Sequence, residues 1–355
     1  MFSTDASQQS TSNSRGAALR KTAFLVLRLG IGVAILVYLA KSGQIRFSSM
    51  TRLLHVWPIT VAAVGFMLLD IFMMSIRVSL LFRNARLSLS LGNSIQLNLI
   101  GFLFSTFLPG AAGGDIAKLV YATRENRGRR AEVATVLILD RLVGLFSLVL
   151  LPLLFAPFFS DLLRSVSLLR HLLYIDALLA GFMLAGAALV MFFVPTRSMV
   201  AWLLGRWPGI KSLALRVLDA MAAHGKARST LLFALLLSLL ANLALIVVTA
   251  LGLYAVSPGS FSVRLALVAP IGHLVNSLPL TPGGIGVGET AFNALFTLTG
   301  MSGGAETLLC LRLWNVPVGL LGLLAYLLGM GRIVHPYEGE PQGAETGYIE
   351  AESAN

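Results

Sequence analysis

The sequence predicts an all-α, polytopic membrane protein: about six full spans plus two re-entrant, Gly/Pro-broken hairpins in an inverted repeat. Three observations predict it. Of 355 residues, 56% are hydrophobic and 12% charged, about half the charged share of a soluble domain. Several apolar runs approach or exceed the roughly 20 residues that cross a bilayer. The stretch Leu108–Asp115, "LPGAAGGD", is echoed in the second half of the chain by "LPLTPGG" at Leu278–Gly284.

The spans read in order as 22–40, 57–77, 131–156, 172–194, 229–256 and 305–330. A Ser/Thr/Gln-rich segment and Arg15, Arg20, Lys21 and Arg28 precede the apolar stretch "LGIGVAILVYLA" of the first span. The bulky Tyr38 sits near the point where a cleaved leader needs a small side chain, so 22–40 reads as an uncleaved span. Segments 94–126 and 264–299 are each an apolar arm, a Pro/Gly break and a second arm. Residues 1–19 read as a disordered cytoplasmic N-terminus and 332–355 as an acidic, disordered cytoplasmic tail. Between them, 20–331 forms one membrane domain with halves at about 20–156 and 172–331.

Charge orients this domain. Arg77, Arg83 and Arg86 follow the second span, and Lys118, Arg124, Arg127, Arg129 and Arg130 follow the first break. Arg197, Arg206, Lys211, Arg216, Lys226 and Arg228 fill the long internal loop. By the positive-inside rule all three clusters are cytoplasmic only if the first broken segment enters and leaves from that face. Lys41, Arg46 and Arg52 in the loop 41–56 run against this assignment. Both termini are then cytoplasmic. Each half holds three full spans, an odd number, so the second half is inverted and its hairpin enters from outside.

The net charge of +11 does not indicate nucleic acid, because the basic residues lie in short segments between apolar runs. Cys310 is the one cysteine, and the five histidines are scattered without metal-ligand spacing, so no metal or other cofactor is expected. No P-loop or nucleophile–base pair is present either, and the chain does not read as an enzyme.

The candidate binding residues cluster at the two breaks. Gly113 and Gly114 free the backbone to approach a ligand, and a helix N-terminus favours an anion. Two roles are open to Asp115: capping the helix that follows, or helping to hold a headgroup. Thr281, Gly283 and Gly284 mirror this site, and Asn276 lies just before the second break. Arg141 and Arg312 follow the two breaks in register as intramembrane arginines, which usually face a partner or a wet cavity. Glu289 follows Lys118 at the same offset, a spacing that suggests an ion pair across the pseudo-symmetry axis.

Asp140 points about 100° away from Arg141, which leaves Asp70, Asp115 or a substrate phosphate as its partner. Arg312 has only Glu306 nearby at poor helical spacing, so it is assigned to substrate. Asp70 and Arg77, seven apart on one face, read as ion-pairing to neighbouring helices. Asn98, Asn242 and His273 read as interhelical hydrogen-bonding groups.

The stretches "FLPGAAGGDIAKLVYA", "VATVLILDRLVGLFSLVLL" and "NSLPLTPGGIGVGETAF" together resemble the flippase-like family named for the transmembrane region of lysylphosphatidylglycerol synthase. The resemblance covers about 20–330. It implies an integral plasma-membrane protein of a prokaryote that moves or presents a lipid with a charged or sugar headgroup. The bifunctional synthases carry a cytosolic aminoacyl-transfer domain after this region, and none is read here, so the resemblance implies translocation rather than synthesis. The expected partner is membrane lipid, anionic or polyprenyl-phosphate-linked. A non-transporting role beside an envelope-biogenesis enzyme, or a homo-oligomer, stays open.

Overall fold

A computed structural model describes residues 56–107, 113–192, 228–278 and 280–330, with residues 202 and 215 in isolation. The 22–40 span, both termini, most of the basic loop after the fourth span, Leu108–Ala112 and Pro279 lie outside the described residues.

Every regular element among the described residues is helical. The first half comprises α1 (Trp57–Asn84), α2 (Leu91–Phe107), α3 (Gly113–Glu125) and α4 (Arg130–Phe155). A 3-10 turn (Ala156–Phe159) and the short α5 (Ser160–Ser165) lead into α6 (Ser167–Phe192). The second half comprises α7 (Arg228–Val256), α8 (Leu265–Ser277), α9 (Val287–Leu298) and α10 (Gly304–Met330). Five segments are long and apolar enough to cross a membrane, within α1, α4 and its extension, α6, α7 and α10. They match the five spans expected after 22–40.

The broken segments are hairpins. At about 1.5 Å per residue, the 17 residues of α2 extend about 26 Å and the 12 or 13 of α3, α8 and α9 about 18–20 Å. All fall short of the roughly 30 Å hydrocarbon core. The arms of each pair run antiparallel. Asn93 meets Glu125 at the open end of the first hairpin, and Asn98 meets Lys118 further in. Gly114 packs so closely on the Gly101 carbonyl near the tip that a Cβ there would collide with it. In the second hairpin Gly272 faces Phe292, while Asn276 faces Gly284 and Gly288 nearer the tip.

Among the described residues, α1–α4 and α7–α10 repeat one helix order in opposite orientation. Late residues of α1 pack on early residues of α7, with Val78, Leu81 and Phe82 beside Ala234. Early α1 residues Ala63 and Met67 share a cluster with Val248, Ala255 and Val256 of late α7. The equivalent helices therefore run antiparallel, and the hairpins that follow them enter from opposite faces. Each hairpin's first arm also packs on the last span of the other half. Gln96 of α2 donates to the Ala325 carbonyl of α10, and Leu265–Ile271 of α8 cluster with Leu151 of α4.

Lipid supplies no hydrophobic drive between helices, so close packing and interhelical hydrogen bonds must hold the bundle. Gly322 permits one such approach, where any side chain would strike the Leu99 carbonyl. Asn98 donates to Ser75, Asn242 donates to Ser147, and His273 bonds Thr249 at 2.8 Å, each linking two helices as expected. Outside the bundle, α6 exposes Tyr174, Ile175, Leu178 and Phe182 as an apolar surface.

Candidate lipid-headgroup site

The second break shows how the sequence builds its site. Gly283, Gly284 and Gly286 all adopt positive φ, which lets the chain reverse between α8 and α9. Glu289, the third residue of α9, turns back so that its Oε2 accepts the Gly286 N–H at 2.7 Å. Its Oε1 accepts from Arg312 Nε at 2.6 Å. Arg312 then donates to the Gly283 carbonyl at 2.7 Å and to Asn276 Oδ1 at 3.2 Å. One arginine on α10 thus clamps the start of α9, the turn and the end of α8.

The first hairpin carries the counterpart. Asp115 is the third residue of α3 and pairs with Arg141 of α4. In each half, then, an arginine on the last span holds a carboxylate at the third position of the hairpin's second arm. The clamps differ in exposure. Glu289 is fully buried, whereas the Arg141 and Asp115 side chains remain 46% and 47% exposed.

Three expectations are corrected by this geometry. Glu289 does not pair with Lys118. Its counterpart is Asp115, because the second turn is longer: Asp115 is the seventh residue after Leu108, and Glu289 the eleventh after Leu278. That extra length shifts the register, and Lys118 instead donates to Asn98 Oδ1 at 2.7 Å. Arg312 has a carboxylate partner on a different helix, brought to it by packing. Asp115 stands inside the first turn of α3 rather than ahead of it, so the capping role fails, while its carboxylate meets Arg141, one of the expected partners of that arginine.

Residues flanking the turns of both hairpins line one cavity of about 450 Å³. Gly114, Asp115 and Lys118 line it from α3, and Arg141 from α4. Asn276, Gly283 and Gly284 line it from the second hairpin. The other sequence-selected residues stand elsewhere: Glu289 and Arg312 form the clamp just described, Thr281 is buried at the second turn, and Gly113 begins α3.

Further polar groups that the sequence assigns to helix pairing also face the cavity. Arg77 donates from Nε to Asp140 Oδ1 at 2.6 Å and from Nη1 to Ser238 Oγ at 2.7 Å, tying α1, α4 and α7 together. This pair is nearly closed off, with 3% and 7% of its side chains exposed. Asp70, Asn98, Ser238 and Asn242 also contribute to the lining. The i, i+7 spacing of Asp70 and Arg77 is the sequence signal for that face, whereas Ser238 has none. Among the described residues no cluster of His, Cys, Asp or Glu is arranged to hold a metal.

Fold and site together define a helical integral membrane protein whose two inverted halves enclose a charged cavity at the tips of opposed hairpins. The chain belongs to the family described as the lysylphosphatidylglycerol synthase TM region, whose model matches residues 25–327. That family ties it to membrane-lipid metabolism or transport. No curated protein and no solved structure matches the chain.

Proposed function

We propose that this protein is a lipid translocase that passes a phosphate-bearing or glycosylated headgroup through the cavity while the acyl chains stay in the bilayer. The observation that carries the reading is the meeting of two hairpins, entering from opposite faces, at one charged cavity. Inverted halves with paired broken segments are the usual setting of a transporter's midplane site. A volume of about 450 Å³ suits a small polar group, being at the lower end of small-molecule pockets, and leaves no room for acyl chains as well.

The half-exposed Arg141–Asp115 pair suits a role in this cycle. A phosphate entering the cavity competes with Asp115 for the Arg141 guanidinium, which binds such oxyanions in bidentate fashion. Lys118 supplies a second cation on the same lining. Arg312 is engaged in holding its own hairpin, so it supports the site from behind. The Arg83, Arg86, Arg127 and Arg129 cluster at the open end of the first hairpin supports a cytoplasmic location for that face, in a prokaryotic plasma membrane, by the positive-inside rule. Alternating exposure arises from rocking of the halves about the α1–α7 contact.

Purified protein in liposomes tests the reading. It should accelerate exchange of labelled headgroups between leaflets for at least one member of a panel of phospholipids and polyprenyl-phosphate lipids. Lys118→Met should slow that exchange. Binding of lipid with no acceleration for any of them would favour a non-transporting partner of an envelope enzyme.

A further inference from the structure

The charges that line the cavity do not all have a direct ion-pair partner. Asp70, Arg77, Asp115, Lys118, Asp140 and Arg141 all face it. Four of these form two ion pairs, Arg77 with Asp140 and Arg141 with Asp115. Asp70 and Lys118 are left over. Among the described residues Asp70 has neither an ion pair nor a hydrogen bond, and Lys118 reaches only the neutral Asn98. Arg77 donates its hydrogen bonds to Asp140 and Ser238 rather than to Asp70, so its charge and that of Lys118 reach Asp70 only through space.

A carboxylate and an ammonium without ion-pair partners at membrane depth are each costly, and such residues usually mark a substrate path. Asp70 and Lys118 line the same cavity without forming an ion pair with each other. A ligand bearing both charges would compensate both. We infer that the cavity recognises a zwitterionic group, a phosphate beside Lys118 and an ammonium beside Asp70, rather than a purely anionic one. The inference rests on the translocase reading for its setting and deepens it by naming the charge type of the headgroup. Arg141 lines the same cavity as Lys118 and reinforces the phosphate end when it releases Asp115. The ammonium end has Asp70 alone.

The pseudo-symmetry sharpens this. At the offset that relates Arg141 to Arg312, the position matching Asp70 is Ala241. The second half thus has no carboxylate equivalent to Asp70, and the recognition site belongs to the first half and its hairpin.

The test is native mass spectrometry of the full-length protein in detergent. It is titrated separately with phosphatidylethanolamine, its N-acetylated form, which lacks the cationic amine, and phosphatidylglycerol. Soluble phosphoethanolamine is added as a competitor, to separate a headgroup carried by lipid from the free zwitterion. Wild-type protein should retain phosphatidylethanolamine about tenfold better than either comparison lipid, the factor that one ion pair worth about 1.4 kcal/mol supplies. Asp70→Asn should abolish the preference, and Asp70→Glu, which keeps the charge, should restore most of it. Competition by soluble phosphoethanolamine would show that the zwitterion alone suffices, and its absence that the acyl chains are also required. Equal retention of all three lipids by wild-type protein overturns the inference and needs no variant that folds. A preference that survives in monodisperse Asp70→Asn protein overturns it equally. Because binding is read without translocation, a translocase that fails to discriminate and a discriminating protein that fails to translocate give different results.

Discussion

Arg312 donates to Glu289 at 2.6 Å, and Glu289 occupies the position in α9 that Asp115, the partner of Arg141, occupies in α3. One device has been built twice. A cation on the last span of each half pins the first turn of the hairpin's second arm, where a carboxylate also complements the helix dipole. Burial separates the copies: the second, with Glu289 fully buried and Arg312 24% exposed, is largely enclosed, and the first stands half open to the cavity. The second hairpin is therefore the fixed wall of the site and the first the adaptable one.

This division predicts unequal responses to the same substitution. Glu289→Ala leaves Arg312 without its carboxylate in a buried setting and should destabilise the protein by about 3–5 kcal/mol. Asp115→Ala breaks a half-exposed pair and should cost about 0–1 kcal/mol. Thermal unfolding in detergent reads both. Equal losses would remove the distinction between a fixed and an adaptable hairpin.

Gly114→Ala should separate the arms of the first hairpin, because its Cβ would be driven into the Gly101 carbonyl oxygen. The expected loss is about 1–3 kcal/mol, as for other overpacked sites. Gly65→Ala provides the contrast: nothing lies within 4 Å of a Cβ there, and removing a mid-helix glycine should stabilise α1 by roughly 0.5–1 kcal/mol. The same unfolding assay decides, and a Gly114→Ala protein as stable as wild type would place the two arms further apart than described.

The inverted arrangement is tested by labelling in intact cells. With Cys310 replaced by Ser, Arg127→Cys and Ser302→Cys each introduce one thiol, at the open end of the first and second hairpin respectively. Both native side chains are exposed. A membrane-impermeant maleimide should reach position 302 from outside and position 127 only after the cells are opened. Labelling of both from the same side would rule out opposed hairpins.

Much of this organisation is legible in the sequence because helices in a bilayer announce themselves. The five described spans follow from runs of Leu, Val and Ala, and the hairpins from Gly/Pro breaks that a bilayer tolerates only inside protein. The tips at Gly114 and Gly283–Gly284 emerge in the same way, and so does the intramembrane Arg141. What stays hidden depends on register. A constant offset between the halves matches Glu289 to Lys118, and nothing in the sequence reveals that the longer second turn realigns Glu289 with Asp115. Arg312 looks unpartnered because helical spacing sees only neighbours on one helix, whereas its partner arrives from α9 through packing. The bond from Arg77 to Ser238, on helices far apart in sequence, is illegible for the same reason.

The central claim is that a headgroup passes through the cavity between the hairpin tips, and immobilising those tips tests it most directly. Ser105→Cys and Leu278→Cys, both lining the cavity, are introduced together on the Cys310→Ser background and joined by a reducible bifunctional maleimide. The protein is then reconstituted in liposomes and leaflet exchange of headgroup-labelled lipid is followed. The account predicts that exchange stops in cross-linked protein and returns when the linker is cleaved. Undiminished exchange through fully cross-linked protein would contradict it.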